Sequence, residues 1–179
     1  ANVYATLVVG LNGIANAVKG EANYVKGKSA LSTGDLANAE TYFGKVGGLA
    51  PNTVYAAEAS YQVCYIKYQR QPSKGVQTAI LKHINDYDGF PEWSGEGWLL
   101  LADNYLALKD TNGAKIVLEG YVENGDSPTH VQRAKDKLMI IENAQSHPAG
   151  RMQEEIILPG GDPKDQKLFE NGGGTGNGE

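Results

Sequence analysis

Apolar residues recur at steps of three or four through most of the chain, and short polar segments interrupt them at intervals. The clearest example is residues 98–118, in which two apolar-periodic blocks flank the polar segment 109–113. Such steps place apolar side chains on one face of an α-helix, and a polar cluster with glycine marks a turn. The pattern predicts two amphipathic helices joined as a hairpin.

Small residues mark where the two helices of this hairpin would approach each other closely. Ala102 takes that position in the first helix, and Ala114 takes it in the second. A methyl side chain lets the opposing backbone come near, while larger neighbours fill the remaining space. The spacing is Trp98-x2-Leu101-Ala102-x2-Tyr105 in the first helix and Ala114-x3-Leu118 in the second.

Two further hairpins with this spacing precede residues 98–118. The first has Gly27 at the small position and Ala39 at the same interval as Ala102 and Ala114; the second has Cys64 and Val76. Cys64 is therefore predicted to pack between helices. The hairpins cover about residues 21–51 and 57–87, their turns are Gly34-Asp35 and 71–74, and their second helices continue with Phe43 or with Ile80 and Ile84.

The N-terminal segment, residues 1–18, carries one apolar stripe at helical spacing. We interpret it as the second helix of a preceding hairpin, in which case the chain is part of a longer array. The stripe consists of Val3, Leu7, Leu11, Ile14 and Val18.

After the third hairpin, a turn at 123–128 precedes one more apolar-periodic segment. Thr129 is predicted to cap this last helix, which would end at about Ala144 and close the array with a polar outer face. Residues 148–179 are rich in glycine and acidic residues, a composition that predicts a flexible, disordered tail. Its apolar segment 154–159 is a candidate for docking on the last helices or on a partner.

These spacings match the W-x2-L-G-x2-Y and A-x3-F signatures of the tetratricopeptide repeat (TPR), with repeats somewhat longer than the minimal length of about 34 residues. The chain therefore resembles TPR proteins. The resemblance implies an all-α fold, a right-handed α-solenoid of TPR-like helical hairpins with a capping helix and a flexible C-terminal tail. It divides the chain into a repeat domain, 1–147, and the tail, 148–179.

A narrower resemblance is to the C-terminal repeats of large bacterial cell-envelope TPR proteins. It implies a scaffold in a multi-subunit assembly, in the periplasm or on the periplasmic face of the outer membrane, with the cytoplasm as the alternative. The resemblance rests on segments 58–68 and 98–108, on Ala114-Lys115 and Leu118-Glu119, and on segment 134–138.

Charge and hydropathy argue against two classes of partner. The net charge is -5 and the pI is about 5.2. Because no cluster of Lys and Arg stands out, we expect no nucleic-acid partner. The most apolar N-terminal run, 5–11, is far shorter than the roughly 20 residues of a membrane span and lacks the basic flank of a signal peptide. We expect no membrane span; if the protein is exported, its signal is already removed from this sequence.

Catalytic motifs are not found. The three histidines, His83, His130 and His147, lie far apart and outside any H-E-x-x-H motif, and one cysteine excludes both an intrachain disulfide and a thiolate cluster. No G-x-S-x-G elbow occurs, and the tail glycines lack the G-K-[ST] ending of a phosphate loop. We predict no catalytic residue, metal or cofactor, and a non-enzymatic protein. The competing hypothesis is a helical accessory domain of an enzyme, with a site between groove and tail.

With no catalytic motif found, the predicted functional site is a binding surface. In TPR proteins the first helices of the hairpins line a concave groove that binds a protein or peptide. Three tyrosines of one predicted helix share a face, as in many binding hot spots. The alternative, weighed equally, is that this stripe packs against the next repeat. The resemblance assigns the groove to Tyr24, Lys28, Tyr61, Tyr65, Tyr68, Leu99, Asp103 and Leu106.

Overall fold

A computed structural model describes residues 3, 5, 7 and 15–146. Residues 15–146 form seven helices and no strand, which confirms the all-α prediction for this part of the chain. The predicted tail and its apolar segment lie outside the described residues. The helices are α1 (Asn16–Ser32), α2 (Leu36–Leu49), α3 (Val54–Arg70), α4 (Lys74–Asp86), α5 (Pro91–Ala107), α6 (Thr111–Asn124) and α7 (Pro128–Ser146).

The small residues of the three hairpins are buried, as a packing role between helices requires. A Cβ atom added to Gly27 of α1 would lie 2.6 Å from the ring of Phe43 in α2, so only glycine fits there without movement. Ala102 of α5 and Ala114 of α6 are both fully buried. Cys64 is 3% exposed, and burial raises the pKa of its thiol to about 11, as expected of a packing residue.

The turns within the first and third hairpins share one geometry. Asp35 accepts a hydrogen bond from the Asn38 amide that begins α2, and Asp110 does the same for Gly113 in α6. Gly34 and Lys109 lie one residue before these aspartates, with positive φ angles of 76° and 61°. A capping aspartate supplies the acceptor that a helix N-terminus needs, so these turns follow from local sequence.

The core is a series of clusters, each of which joins neighbouring helices. One cluster is built on α2 and α3, the next on α3, α4 and α5, and the next on α5, α6 and α7. Burial therefore proceeds along the chain from one helix to its neighbours, the organisation expected of stacked repeats. The largest fully buried apolar side chains are Phe43, Ile66, Ile80, Leu99, Leu101 and Leu118.

The predicted N-terminal helix is wrong at its end and in its buried face. Ala15 has an extended ψ of 142°, and α1 begins at Asn16, so Val18 belongs to the next helix. Three members of the predicted stripe are exposed, namely Val3, Leu7 and Val18, whereas Ala5 is buried against α1. No side chain caps the start of α1, so the sequence contains no capping signal that would mark this helix start.

The predicted start and outer face of the last helix also need correction. α7 begins at Pro128, so Thr129 lies inside the helix and does not cap it. Proline fits the first helical position because its missing N–H would have no helical partner there. Met139 and Ile140 are 56% and 65% exposed, so this surface is less polar than predicted.

Ala102→Leu is expected to lower the free energy of unfolding by about 1 to 3 kcal/mol, because the added methylenes have no space at a fully buried contact. The measurement is urea unfolding of both proteins. Ala107→Leu, at an exposed position of the same helix, is the control. An unchanged midpoint for Ala102→Leu would contradict the close approach of α5 and α6.

Candidate partner-binding groove

The eight predicted groove residues lie on α1, α3 and α5, the first helices of the three hairpins. Five of them, from α3 and α5, line one pocket of about 280 Å³. We call this space the tyrosine pocket. Its lining is Tyr61, Tyr65 and Tyr68 from α3; Glu96, Leu99, Leu100 and Asp103 from α5; and Arg133 and Lys137 from α7.

The tyrosine stripe of α3 is partly buried. Its rings pack against the cluster that contains Cys64, and they also line the pocket. Tyr61 and Tyr65 stack with ring centroids 6.1 Å apart, and Tyr61 lies 5.7 Å from the Trp93 ring. The same three side chains therefore both pack on the next hairpin and border the pocket. Burial raises the pKa of Tyr61, as does the nearby charge of Glu96.

Ion pairs between α5 and α7 close the other side of the tyrosine pocket. Arg133 binds both carboxylate oxygens of Glu96, and His130 lies 3.2 Å from the same carboxylate. Lys137 donates to Asp103 at 2.5 Å. Burial raises the pKa of Glu96, but the hydrogen bond and charge of Arg133, helped by His130, hold it below its usual range. Glu96 is therefore an anion held in place by α7.

Tyr24 and Lys28 do not line the tyrosine pocket. The Tyr24 hydroxyl donates to Oε2 of Glu58 in α3 at 2.6 Å, and Lys28 binds the other carboxylate oxygen at 2.6 Å. Burial raises the pKa of Tyr24, and the hydrogen bond to Glu58 adds to this. At the α1–α3 junction, the groove-facing groups are thus bonded to one another.

Glu58 and Glu96 occupy equivalent positions, the same interval before the small residues Cys64 and Ala102. Tyr24 and Tyr61 are equivalent in the same way. Glu58 binds back to α1 through Tyr24, whereas Glu96 binds forward to α7 through Arg133. Tyr61 makes no hydrogen bond to Glu96, so the α3–α5 junction lacks the closure seen between α1 and α3.

The two predicted leucines contribute differently from the tyrosines. Leu99 is 2% exposed and belongs to the core, with only its edge at the pocket. Leu106 is partly buried against the α5–α6–α7 cluster and does not line the pocket. Of these two predicted groove residues, Leu99 therefore borders the pocket and Leu106 lies outside it.

Glu58, Glu96, Arg133 and Lys137 were missed by sequence reasoning. Comparison of equivalent positions identifies Glu58 and Glu96, since both carry a carboxylate at one repeat position. The two cations of α7, Arg133 and Lys137, were missed because α7 was predicted only as a capping helix and not as part of the groove.

His83 lies behind the pocket in an aromatic cluster with Tyr61 and Tyr87. It is 1% exposed, and its Nε2 lies 2.9 Å from the Trp93 carbonyl, which can only accept. Nε2 therefore carries the proton, and buried Nδ1 has no hydrogen-bond partner. Burial lowers the pKa of His83, against the smaller opposing effects of the Trp93 carbonyl and Asp86.

Because the folded pKa of His83 lies below its unfolded value, the unfolded chain binds more protons and stability falls as the pH drops below about 6.5. Titration of His83 changes the free energy of unfolding by at most about 1.4 kcal/mol per pH unit. Urea unfolding at several pH values, compared with His83→Gln, measures it. Glutamine keeps a donor for the Trp93 carbonyl but does not titrate, so its pH slope should be smaller. Equal slopes would contradict the assignment.

Two other kinds of feature, a cluster of metal ligands and a membrane-spanning helix, are absent from the described residues. No three His, Cys, Asp or Glu side chains of this part of the chain come together as metal ligands. None of its helices combines the length and apolar character that a bilayer crossing requires.

Comparison with protein-family models finds no match for the chain. Comparison with curated proteins finds no match either. The TPR resemblance therefore stays a prediction that rests on residue spacing and on the helices described above.

Proposed function

We propose that the chain is a non-enzymatic interaction module that binds a protein or peptide partner in the groove formed by α1, α3, α5 and α7. In this proposal, the hairpins form a right-handed α-solenoid of TPR type, and α7 is its capping helix. Membership of a larger bacterial envelope assembly, at the periplasmic side of the outer membrane, follows from the resemblance alone.

The observation that carries the proposal is the tyrosine stripe at the tyrosine pocket. Its three rings are partly buried and lie on one helix, so they are held rigidly before any partner arrives. Rigid aromatic rings with polar tips give large contact areas at low entropic cost, which is why tyrosine is enriched in binding hot spots.

Pocket size favours a peptide side chain over a free small molecule. Ligand pockets for small molecules usually measure about 300 to 1,000 Å³. The tyrosine pocket, at about 280 Å³, falls just below that range, a size that suits one side chain of a peptide. The alternative, an enzyme accessory domain with a site between groove and tail, depends on residues outside those described.

The test begins with selection of binders from a random peptide library displayed against the chain. Tyr65→Ala/Tyr68→Ala should weaken the selected peptides by about 2 kcal/mol or more, about 30-fold, because two hot-spot rings are lost. Its free energy of unfolding should fall by less than the roughly 3 to 5 kcal/mol typical of one fully buried aromatic ring. Titration calorimetry and urea unfolding measure the two effects.

Ile116→Ala is the matched control, since Ile116 is 60% exposed on α6 and does not line the tyrosine pocket. It should bind the selected peptides like the unmodified chain. Loss of folding in the tyrosine variant, with no separate binding defect, would assign the stripe to the core and refute the proposal.

A further inference from the structure

We infer that the tyrosine pocket selects an uncharged side chain, aromatic or branched apolar, within an extended peptide. The inference rests on the proposed function and narrows it from peptides in general to one class of anchor residue.

The first support is charge balance. Each of the four charged side chains that line the pocket has an opposite partner in the same lining: Glu96 binds Arg133, and Asp103 binds Lys137. A carboxylate on the ligand would have to separate one of these pairs and leave a partly buried anion unpaired. A cation on the ligand would meet the same obstacle with the opposite sign. Desolvating a ligand charge without a free partner is unfavourable, so charged anchors are disfavoured.

The second support is the apolar surface that remains. The partly buried rings of Tyr61, Tyr65 and Tyr68 offer carbon surface for an uncharged side chain, and the buried Leu99 and Leu100 lie beneath it. The three tyrosine hydroxyls make no hydrogen bond to another described residue, whereas the Tyr24 hydroxyl is bound to Glu58. Free hydroxyls both donate and accept, so they suit the N–H and C=O groups of a peptide backbone.

The third support is length. Tyr68 lies seven positions after Tyr61, so at a rise of 1.5 Å per residue the stripe spans about 10 Å. An extended peptide advances about 3.3 Å per residue. A peptide that lies along α3 would therefore cover the stripe with about three extended residues.

The experiment uses the library selection on the full chain, with Tyr65→Ala/Tyr68→Ala as the counter-selected protein. Peptides that depend on the tyrosines should share an uncharged aromatic or branched apolar residue. Because no charge is read, their affinity should change less than about threefold between about 0.05 M and 0.5 M salt. A shared acidic or basic anchor, with affinity falling about tenfold or more in salt, would overturn the inference but leave the peptide groove intact. Absence of any tyrosine-dependent peptide would refute the proposed function itself.

Lys137→Gln gives a second, independent readout. It leaves Asp103 without its partner and makes the pocket anionic, so a peptide with a lysine at the anchor position should bind at least about tenfold more tightly than to the unmodified chain. Lys115→Gln removes the same charge from α6, where Lys115 pairs with Glu142 away from the pocket. This control should leave the anchor preference unchanged. No gain for the lysine peptide with Lys137→Gln would contradict the role of charge balance.

Discussion

Replacing Phe43 with alanine is expected to lower the free energy of unfolding by about 3 to 5 kcal/mol, which is a large part of the stability of a typical domain. Phe43 is 1% exposed and its ring contacts both Gly27 and Tyr24. Removal of the ring loses its burial and leaves a cavity between α1 and α2. Urea unfolding monitored by circular dichroism measures the change. Ile116→Ala on exposed α6 surface is the control and should stay within about 0.5 kcal/mol.

A double-mutant cycle sharpens this prediction. Gly27→Ala alone should destabilise the protein, because its Cβ would lie 2.6 Å from the Phe43 ring. In the Phe43→Ala background the same methyl group enters vacated space. The double variant should therefore be more stable than the sum of the single changes predicts, by at least about 0.5 kcal/mol. Simple additivity would mean that Gly27 and Phe43 do not form the close contact of the first hairpin.

Asn104→Ala is expected to lower the free energy of unfolding by about 1 to 3 kcal/mol, because it leaves the Ser73 amide without a partner. The Ser73 carbonyl loses one of its two hydrogen bonds and keeps the one from the Gln77 amide. Asn104 is fully buried on α5, and its side chain binds both backbone groups of Ser73: Oδ1 accepts from the amide and Nδ2 donates to the carbonyl, each at 3.1 Å. The Ser73 hydroxyl in turn caps α4. Asn104 thus fixes the turn between α3 and α4 from the following hairpin.

Hydrogen exchange at the Ser73 amide measures this directly, and the amide should lose protection in Asn104→Ala. Asn124→Ala is the matched control, since Asn124 is exposed and bonds only to Gly120 within its own helix. It should change stability by less than about 0.5 kcal/mol. Retained protection of the Ser73 amide in Asn104→Ala would contradict the conclusion that Asn104 holds this turn in place.

Local sequence predicted the parts of the fold that local physics determines. Asp35 and Asp110 cap helices at their own turns, and Gly27 and Ala102 fix close approaches through their size alone. The start of α1 was not predictable, because it has no capping side chain. The role of Asn104 was not predictable either, because only the fold brings Ser73 next to it.

The candidate site, like the fold, was predictable only where local sequence determines it. The shared face of Tyr61, Tyr65 and Tyr68 follows from helical periodicity, and these rings do line a pocket. The partner of the Glu96 carboxylate could not be predicted from this periodicity. Whether Glu96 binds Tyr61 or Arg133 depends on the position of α7, which no local pattern determines.

The equivalent carboxylates Glu58 and Glu96 have a consequence for how such a chain diversifies. One bonds backward to Tyr24 and the other bonds forward to Arg133, and neither carboxylate is fully buried, with 13% and 24% of the side chain exposed. Arg133 is 46% exposed, so its exchange would free Glu96 without removing a buried side chain, whereas Tyr24 also packs against Phe43. Substitutions during evolution can therefore change the proposed recognition point at the α5–α7 junction with less effect on the core than at the α1–α3 junction.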